Sequence, residues 1–234
     1  MQSKRGRLDR FISQQKQIAR KQVRLLVAQG QIWVDGVVAK DVAQLIDEFS
    51  HIRLNDEVLQ AQSPIYLMLH KPVGVVCATV DAQHKTVIDL IDHPQKQQLH
   101  IVGRLDLNTS GLVLLTNDSR WSKRLMSPEN KVAKRYRVTL AHPLSDQYIA
   151  AFAAGMWFEY EKITTLPAKL EIIDDFTAEV ILTEGKYHQI KRMFGRFRNP
   201  VVALHRYAVG NMRLSDDLLV GESRSLTEQE VEQI

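Results

Sequence analysis

The run GRLDLNTSGLVLLTND, residues 103–118, places a charged pair, Arg104 and Asp106, in a glycine-bounded loop. The apolar stretch Leu112–Leu115 follows at once. A carboxylate beside a core loses hydration, so it must be paired, protonated or exposed. Kept ionised next to a cation, it is a nucleophile or a general base. The competing use of a loop aspartate is to cap a backbone N–H in a turn. Two further acids, Asp118 and Glu184, would permit two-carboxylate chemistry at a sugar carbon if they folded beside Asp106. Ser110 precedes Gly111 without a Gly-x-Ser-x-Gly elbow around it, and reads as structural. His84, His93, His100 and the single cysteine, Cys77, do not have metal-ligand spacing, so no metal is expected. The glycines form neither a P-loop nor a G-x-G-x-x-G turn, and no cofactor is expected. Any catalysis must rest on ordinary side chains.

The elements that would position these groups fall into two parts. In the first, Leu8, Phe11 and Ile12, then Val23, Leu25 and Leu26, recur at helical spacing and predict two short helices, the second stopping at Gly30. QIWVDGVVAK then places two β-type runs around Asp35-Gly36, a hairpin signal, and a further strand is expected at 51–54. QAQSPI is polar and contains proline, and reads as a linker at 61–65. The second part, 66–234, alternates short β-rich runs (YLMLHK, GVVCAT, GLVLLT, RYRVTL, AKLEII, TAEVILT, PVVALHRYAV) with helical stretches near 119–127, 145–154 and 188–198. Most links are too short for βαβ crossovers. The fold class expected is therefore α+β, with a mixed, mostly antiparallel sheet flanked by helices.

Charge is unevenly placed. The chain of 234 residues carries 31 basic and 27 acidic residues. Residues 1–24 hold eight of the basic ones (Lys4, Arg5, Arg7, Arg10, Lys16, Arg20, Lys21, Arg24) and one acid, Asp9. That leaves 23 basic against 26 acidic in the other 210 residues. Such a concentration suggests a polyanion partner; a solvated helix face is the plainer use. No apolar run approaches the ~18 residues of a membrane span, and the basic start lacks an apolar signal core. A membrane partner is not expected, and a lone cysteine fits a reducing cytoplasm.

RLDRFIS…ARKQVRLLVAQGQIWVDGVVAKD resembles an S4 RNA-binding domain, which assigns residues 1–60 to RNA contact through Arg5, Arg7, Arg10, Lys16, Arg20, Lys21 and Arg24. GRLDLNTSGLVLLTND, KRYRVTL, LTEGKYHQIKRMF and HKPVGVVCAT, in that company, resemble the pseudouridine synthases of the RsuA class. The resemblance implies a cofactor-free isomerase that turns one uridine of RNA into pseudouridine. It points to 16S rRNA, at U516; sister enzymes act on 23S rRNA or tRNA. A non-catalytic ribosome-assembly protein is the competing reading. The implied partner is 16S rRNA or a small-subunit assembly intermediate, and the implied state a monomer.

By the same resemblance, Asp106 is the catalytic carboxylate and Lys191 its ion-pair partner. Tyr136 stacks on the target uracil, Ile190 packs on it and Arg104 fills the gap the base leaves. Apart from the resemblance, holding the detached ring calls for Leu182 as a further apolar wall, and Lys71 in HKPVGVV is expected to reach phosphate unless that run is only a turn before a strand. HRYAVG, residues 205–210, matches a family segment near the site without an assigned role. The reaction explains these residue types. A base inside folded RNA must be flipped out, at a few kcal/mol, and stacking on an aromatic face returns ~1–3 kcal/mol. Lysine in place of arginine beside the carboxylate gives a point charge without a bidentate fork.

Overall fold

The structure is a computed structural model that describes residues 5–233, so Lys4 lies outside the described residues. The chain divides into two compact units between residues 64 and 65.

The first unit runs β1 (Gly6–Arg7), α1 (Leu8–Lys16), α2 (Arg20–Ala28), β2 (Ile32–Val34), β3 (Val37–Val38), β4 (Leu45–Ile46), β5 (Ile52–Leu54) and β6 (Glu57–Gln60). Leu8, Ile12, Val23 and Val27 bury one stripe of each helix against Ile32 and Ile52 of the sheet β3-β2-β5-β6. Asp35 and Gly36 both take positive φ, 51° and 80°, as the tight hairpin between β2 and β3 requires. The spacing of apolar residues had not suggested β6. Of the expected RNA face, Arg5, Arg7, Arg10, Arg20, Lys21 and Arg24 are exposed. Arg7 is also bound through two nitrogens to the buried Asp9, at 3.1 and 2.9 Å, and the half-buried Lys16 pairs with Glu57 at 2.7 Å. The Arg7 hydrogen bonds hold the Asp9 carboxyl below its usual range.

The second unit contains β7 (Tyr66–Lys71), β8 (His100–Val102), β9 (Ser110–Thr116), α3 (Ser119–Met126), β10 (Lys134–Leu140) and α4 (Gln147–Ala154). It continues through β11 (Trp157–Phe158), β12 (Ile163–Thr164), β13 (Lys169–Asp174), β14 (Thr177–Leu182), α5 (Gln189–Gly195), β15 (Val201–Val209), β16 (Met212–Arg213), β17 (Ser223–Ser225) and α6 (Glu228–Glu232). The main sheet runs β13-β14-β10-β15-β9-β7-β17, with β8 beside β9 and β16 beside β15. β15 and β9 pair in parallel and the other ladders are antiparallel, so the sheet is mixed and mostly antiparallel.

The apolar run of β9 follows from burial on both faces. Val113 and Leu115 enter a large core with Leu69, Val138 and Phe194; Leu112 and Leu114 enter a smaller one with Met68, Trp121 and Leu125. Ile65, at the end of the expected linker, is buried in the larger core, and its N–H donates to Asn117 Oδ1 at 2.8 Å. The expected strand GVVCAT is a loop instead. Gly74 has φ 80° and its N–H donates to the Leu107 carbonyl, while Val76 bonds across to residues 85 and 87. Only an isolated bridge between Val76 and Thr86 remains of the extended pairing.

Candidate active site

The loop of residues 103–109 is held from below by two buried cations. Lys71, at the end of β7, is fully buried. Its Nζ donates to the carbonyls of Thr109 at 2.7 Å, Pro72 at 2.9 Å, Asp106 at 3.2 Å and Leu107 at 3.4 Å. Arg206, in β15 and 1% exposed, donates Nε to the Leu112 carbonyl at 2.9 Å and Nη2 to the Gly103 carbonyl at 2.5 Å. The loop's carbonyls thus turn inward to cations, and the Asp106 side chain is left at the surface, about a third exposed. Burial pushes the Lys71 ammonium below its usual range, a shift that the Asp106 charge opposes. Gly111 lets the parallel pair close: a Cβ there would lie 2.1 Å from the Arg206 carbonyl oxygen, and its φ is 113°. The loop's other anchor is the Leu105 N–H, which donates to Cys77 Sγ at 3.2 Å.

Above the loop lies a cavity of about 550 Å³. Asp106 and Arg104 reach it from the loop, Tyr136 from β10, Leu182 from the end of β14, and Ile190 and Lys191 from the first turn of α5. Tyr136, Leu182 and Ile190 are buried and form apolar wall, whereas Arg104 is exposed. Six of the seven residues singled out as catalytic or substrate-binding therefore meet in one hollow. Lys71 does not: fully enclosed and bonded to four carbonyls, it cannot reach a phosphate, and it braces the Asp106 loop instead.

The neighbour of the Asp106 carboxylate also differs from expectation. His188 Nε2 lies 3.4 Å from Oδ2, and among the described residues Lys191 is not in an ion pair with it. His188 precedes α5 in the left-handed conformation, φ 49°, and its ring stacks on Tyr187 with centroids 3.9 Å apart. That backbone turn brings an imidazole over the carboxylate one turn before Lys191. Neither the spacing of YHQIKRMF nor its resemblance carried this signal. Arg206 was equally hidden, since a basic residue in a strand is ordinarily solvated.

The two-carboxylate alternative fails on placement. Asp118 caps α3, accepting from the Arg120 and Trp121 N–H groups, and takes the Tyr66 hydroxyl at 2.8 Å. Glu184 accepts from the Leu166 N–H and from Gln189, at 2.8 and 2.7 Å. Ser110 does have an imidazole neighbour, His205 Nδ1 at 2.9 Å. Among the described residues no group of three or more His, Cys, Asp or Glu could hold a metal ion.

Residues 65–195 match the family model for RNA pseudouridylate synthase, and residues 6–52 match the S4 domain. The chain belongs to the RNA pseudouridylate synthase family. It is thus an isomerase with an S4 domain in front. Ribosomal small subunit pseudouridine synthase A of Pseudomonas aeruginosa is 46% identical over 96% of this chain and 98% of its own length. The proteins of the same name from Vibrio cholerae and Haemophilus influenzae are 43% and 41% identical, each over 97% of this chain and 99% of its own. A crystal structure of a pseudouridylate synthase, 41% identical, superposes with a TM-score of 0.71 over 97% of this chain and 98% of that one.

Proposed function

We propose that this enzyme converts a uridine of 16S rRNA, U516, into pseudouridine. The observation that carries the reading is a surface carboxylate, Asp106, held by a cation-braced loop at the mouth of a cavity walled by Tyr136, Leu182 and Ile190. The small-subunit names of relatives above 40% identity over nearly the whole chain favour 16S over 23S rRNA.

In the reaction the C1′–N1 bond breaks, a C1′–C5 bond forms to the same ring, and the C5 proton leaves for N1. Asp106 attacks C1′, adds to the ring or removes the 2′ proton; each route requires it ionised. Two cations brace the backbone of its loop, and His188 and Lys191 stand around the cavity. Tyr136 offers the flipped uracil a stacking face, and Leu182 and Ile190 confine the detached ring while it turns. Arg104, exposed at the rim, occupies the space the base leaves and meets phosphate. The exposed arginines and lysine of α1 and α2 hold the structured RNA through its backbone. The enzyme acts as a monomer, on the rRNA or on an assembling particle.

Pseudouridine mapping tests this directly. Unmodified 16S rRNA, 23S rRNA and assembling small-subunit particles are incubated with wild-type protein and with Asp106→Asn. A single new pseudouridine in 16S, absent with the variant, is the expected result. A site in 23S instead would move the target and keep the chemistry. RNA binding by both proteins with no modification anywhere would overturn the reading.

A further inference from the structure

The face of the main sheet opposite the catalytic cavity holds a second cavity, of about 430 Å³. Strand alternation separates the two hollows. Along β10, Tyr136 points to the catalytic side while Arg135 and Arg137 point to this one; along β15, Leu204 takes the first side and His205 and Tyr207 the second. Arg213 of β16 joins them, its guanidinium 5.4 Å from the centre of the Tyr207 ring.

The charge here is poorly neutralised. Elsewhere in this unit Arg192 and Arg224 are matched with Glu161 and Glu230 through both nitrogens. Among the described residues, Arg135, Arg137 and Arg213 are in no ion pair. Three guanidiniums against two carboxylates, Glu179 and Asp216, leave the lining with one positive charge in excess. Glu179 accepts the Tyr207 hydroxyl, and Asp216 is exposed. His70 and His205 complete the lining. The His70 Nδ1–H donates to the Leu218 carbonyl at 2.9 Å, which leaves Nε2 as an acceptor. Guanidiniums that are in no ion pair suit phosphates, and an imidazole acceptor suits a ribose 2′-hydroxyl.

We propose that this cavity is a second contact for the RNA substrate, with Arg135, Arg137 and Arg213 taking backbone phosphates and His70 a ribose hydroxyl. It rests on the reading of the chain as an enzyme of structured RNA. Being on the far side of the sheet from Asp106, it adds affinity and leaves the chemical step alone.

The test uses the full chain with Arg135, Arg137 and Arg213 all replaced by Gln, and a second variant with all three replaced by Lys. Affinity for a 16S rRNA fragment is measured across a salt series, alongside kcat and KM. The Gln variant should bind at least about tenfold more weakly, and its log-affinity against log-salt slope should shrink by about 2, as loss of three phosphate contacts requires. KM should rise with kcat unchanged, and the Lys variant should keep the slope. Wild-type affinity and slope in the Gln variant would overturn the proposal and leave the cavity to a protein partner. Equal loss in the Lys variant would overturn it too, as a packing defect. Binding is read without turnover, so a wild-type protein that makes no pseudouridine would sink the proposed reaction and still leave this contact decided.

Discussion

Asp106 was legible because its surroundings are local: a glycine-bounded loop and an apolar strand fix where the carboxylate must sit. Lys71 and His188 were not, because their roles depend on partners brought from elsewhere in the chain. Lys71 lies next to a proline at the start of an irregular segment, where an exposed lysine is the ordinary outcome. Instead it satisfies four carbonyls. Lys71→Met should leave the Pro72 and Thr109 carbonyls without a donor, lowering stability by about 2–4 kcal/mol in urea denaturation. It should also lower kcat, because the loop that aims Asp106 loses its anchor; an unchanged kcat would remove Lys71 from the positioning role. His188 calls for a gentler substitution. Asn tolerates the left-handed backbone and removes the ring. His188→Asn should cut kcat about tenfold, close to 1.4 kcal/mol of barrier, with no change in melting temperature.

At the scale of elements, periodicity located most of the helices and strands that hold the site. Tyr66–Lys71 and Lys134–Leu140 fall where their β-rich runs placed them. GVVCAT misled because β-type composition does not say whether a partner strand is available, and at Gly74 the backbone turns toward the catalytic loop instead. The last helix shows how a short element is retained. Residues 228–232 start from a Thr227–Glu230 capping box, and Trp121 donates its indole N–H to the Val231 carbonyl at 3.3 Å. Glu230 also accepts two hydrogen bonds from Arg224, at 2.8 and 2.7 Å. Those bonds are the main reason its carboxyl is held at about 2, below the ordinary 4.5. A depressed carboxyl stabilises the fold above its unfolded value, and that contribution fades as pH falls through the folded one. Glu230→Gln should therefore lose about 1 kcal/mol at neutral pH. The gap from wild type should close between pH 4.5 and 2; chemical denaturation at a series of pH values reads it. A gap that persists at the acid end would deny the ion pair its part.

Over the whole molecule, basic residues crowd the start of the first unit, eight against one acid in residues 1–24, while the second unit is close to charge balance. Within the expected RNA face, Arg7 and Lys16 are engaged with Asp9 and Glu57. The exposed set on α2 is the better target. Replacing Arg20, Lys21 and Arg24 by Gln should weaken binding to 16S rRNA and shrink the salt slope by about 2. Its kcat at saturating RNA should match wild type; an unaltered slope would mean that α2 does not meet RNA.

The parallel pairing of β9 with β15 has a temporal side. The first unit is complete once residue 64 has been made, and its contacts are local. The loop of Asp106 lacks the second of its two lower braces until Arg206 emerges, and long-range pairings of this kind form late. A chain broken off between those two points would hold the S4 unit and an unfinished catalytic loop. Translation completes the S4 unit first and the isomerase only near its end.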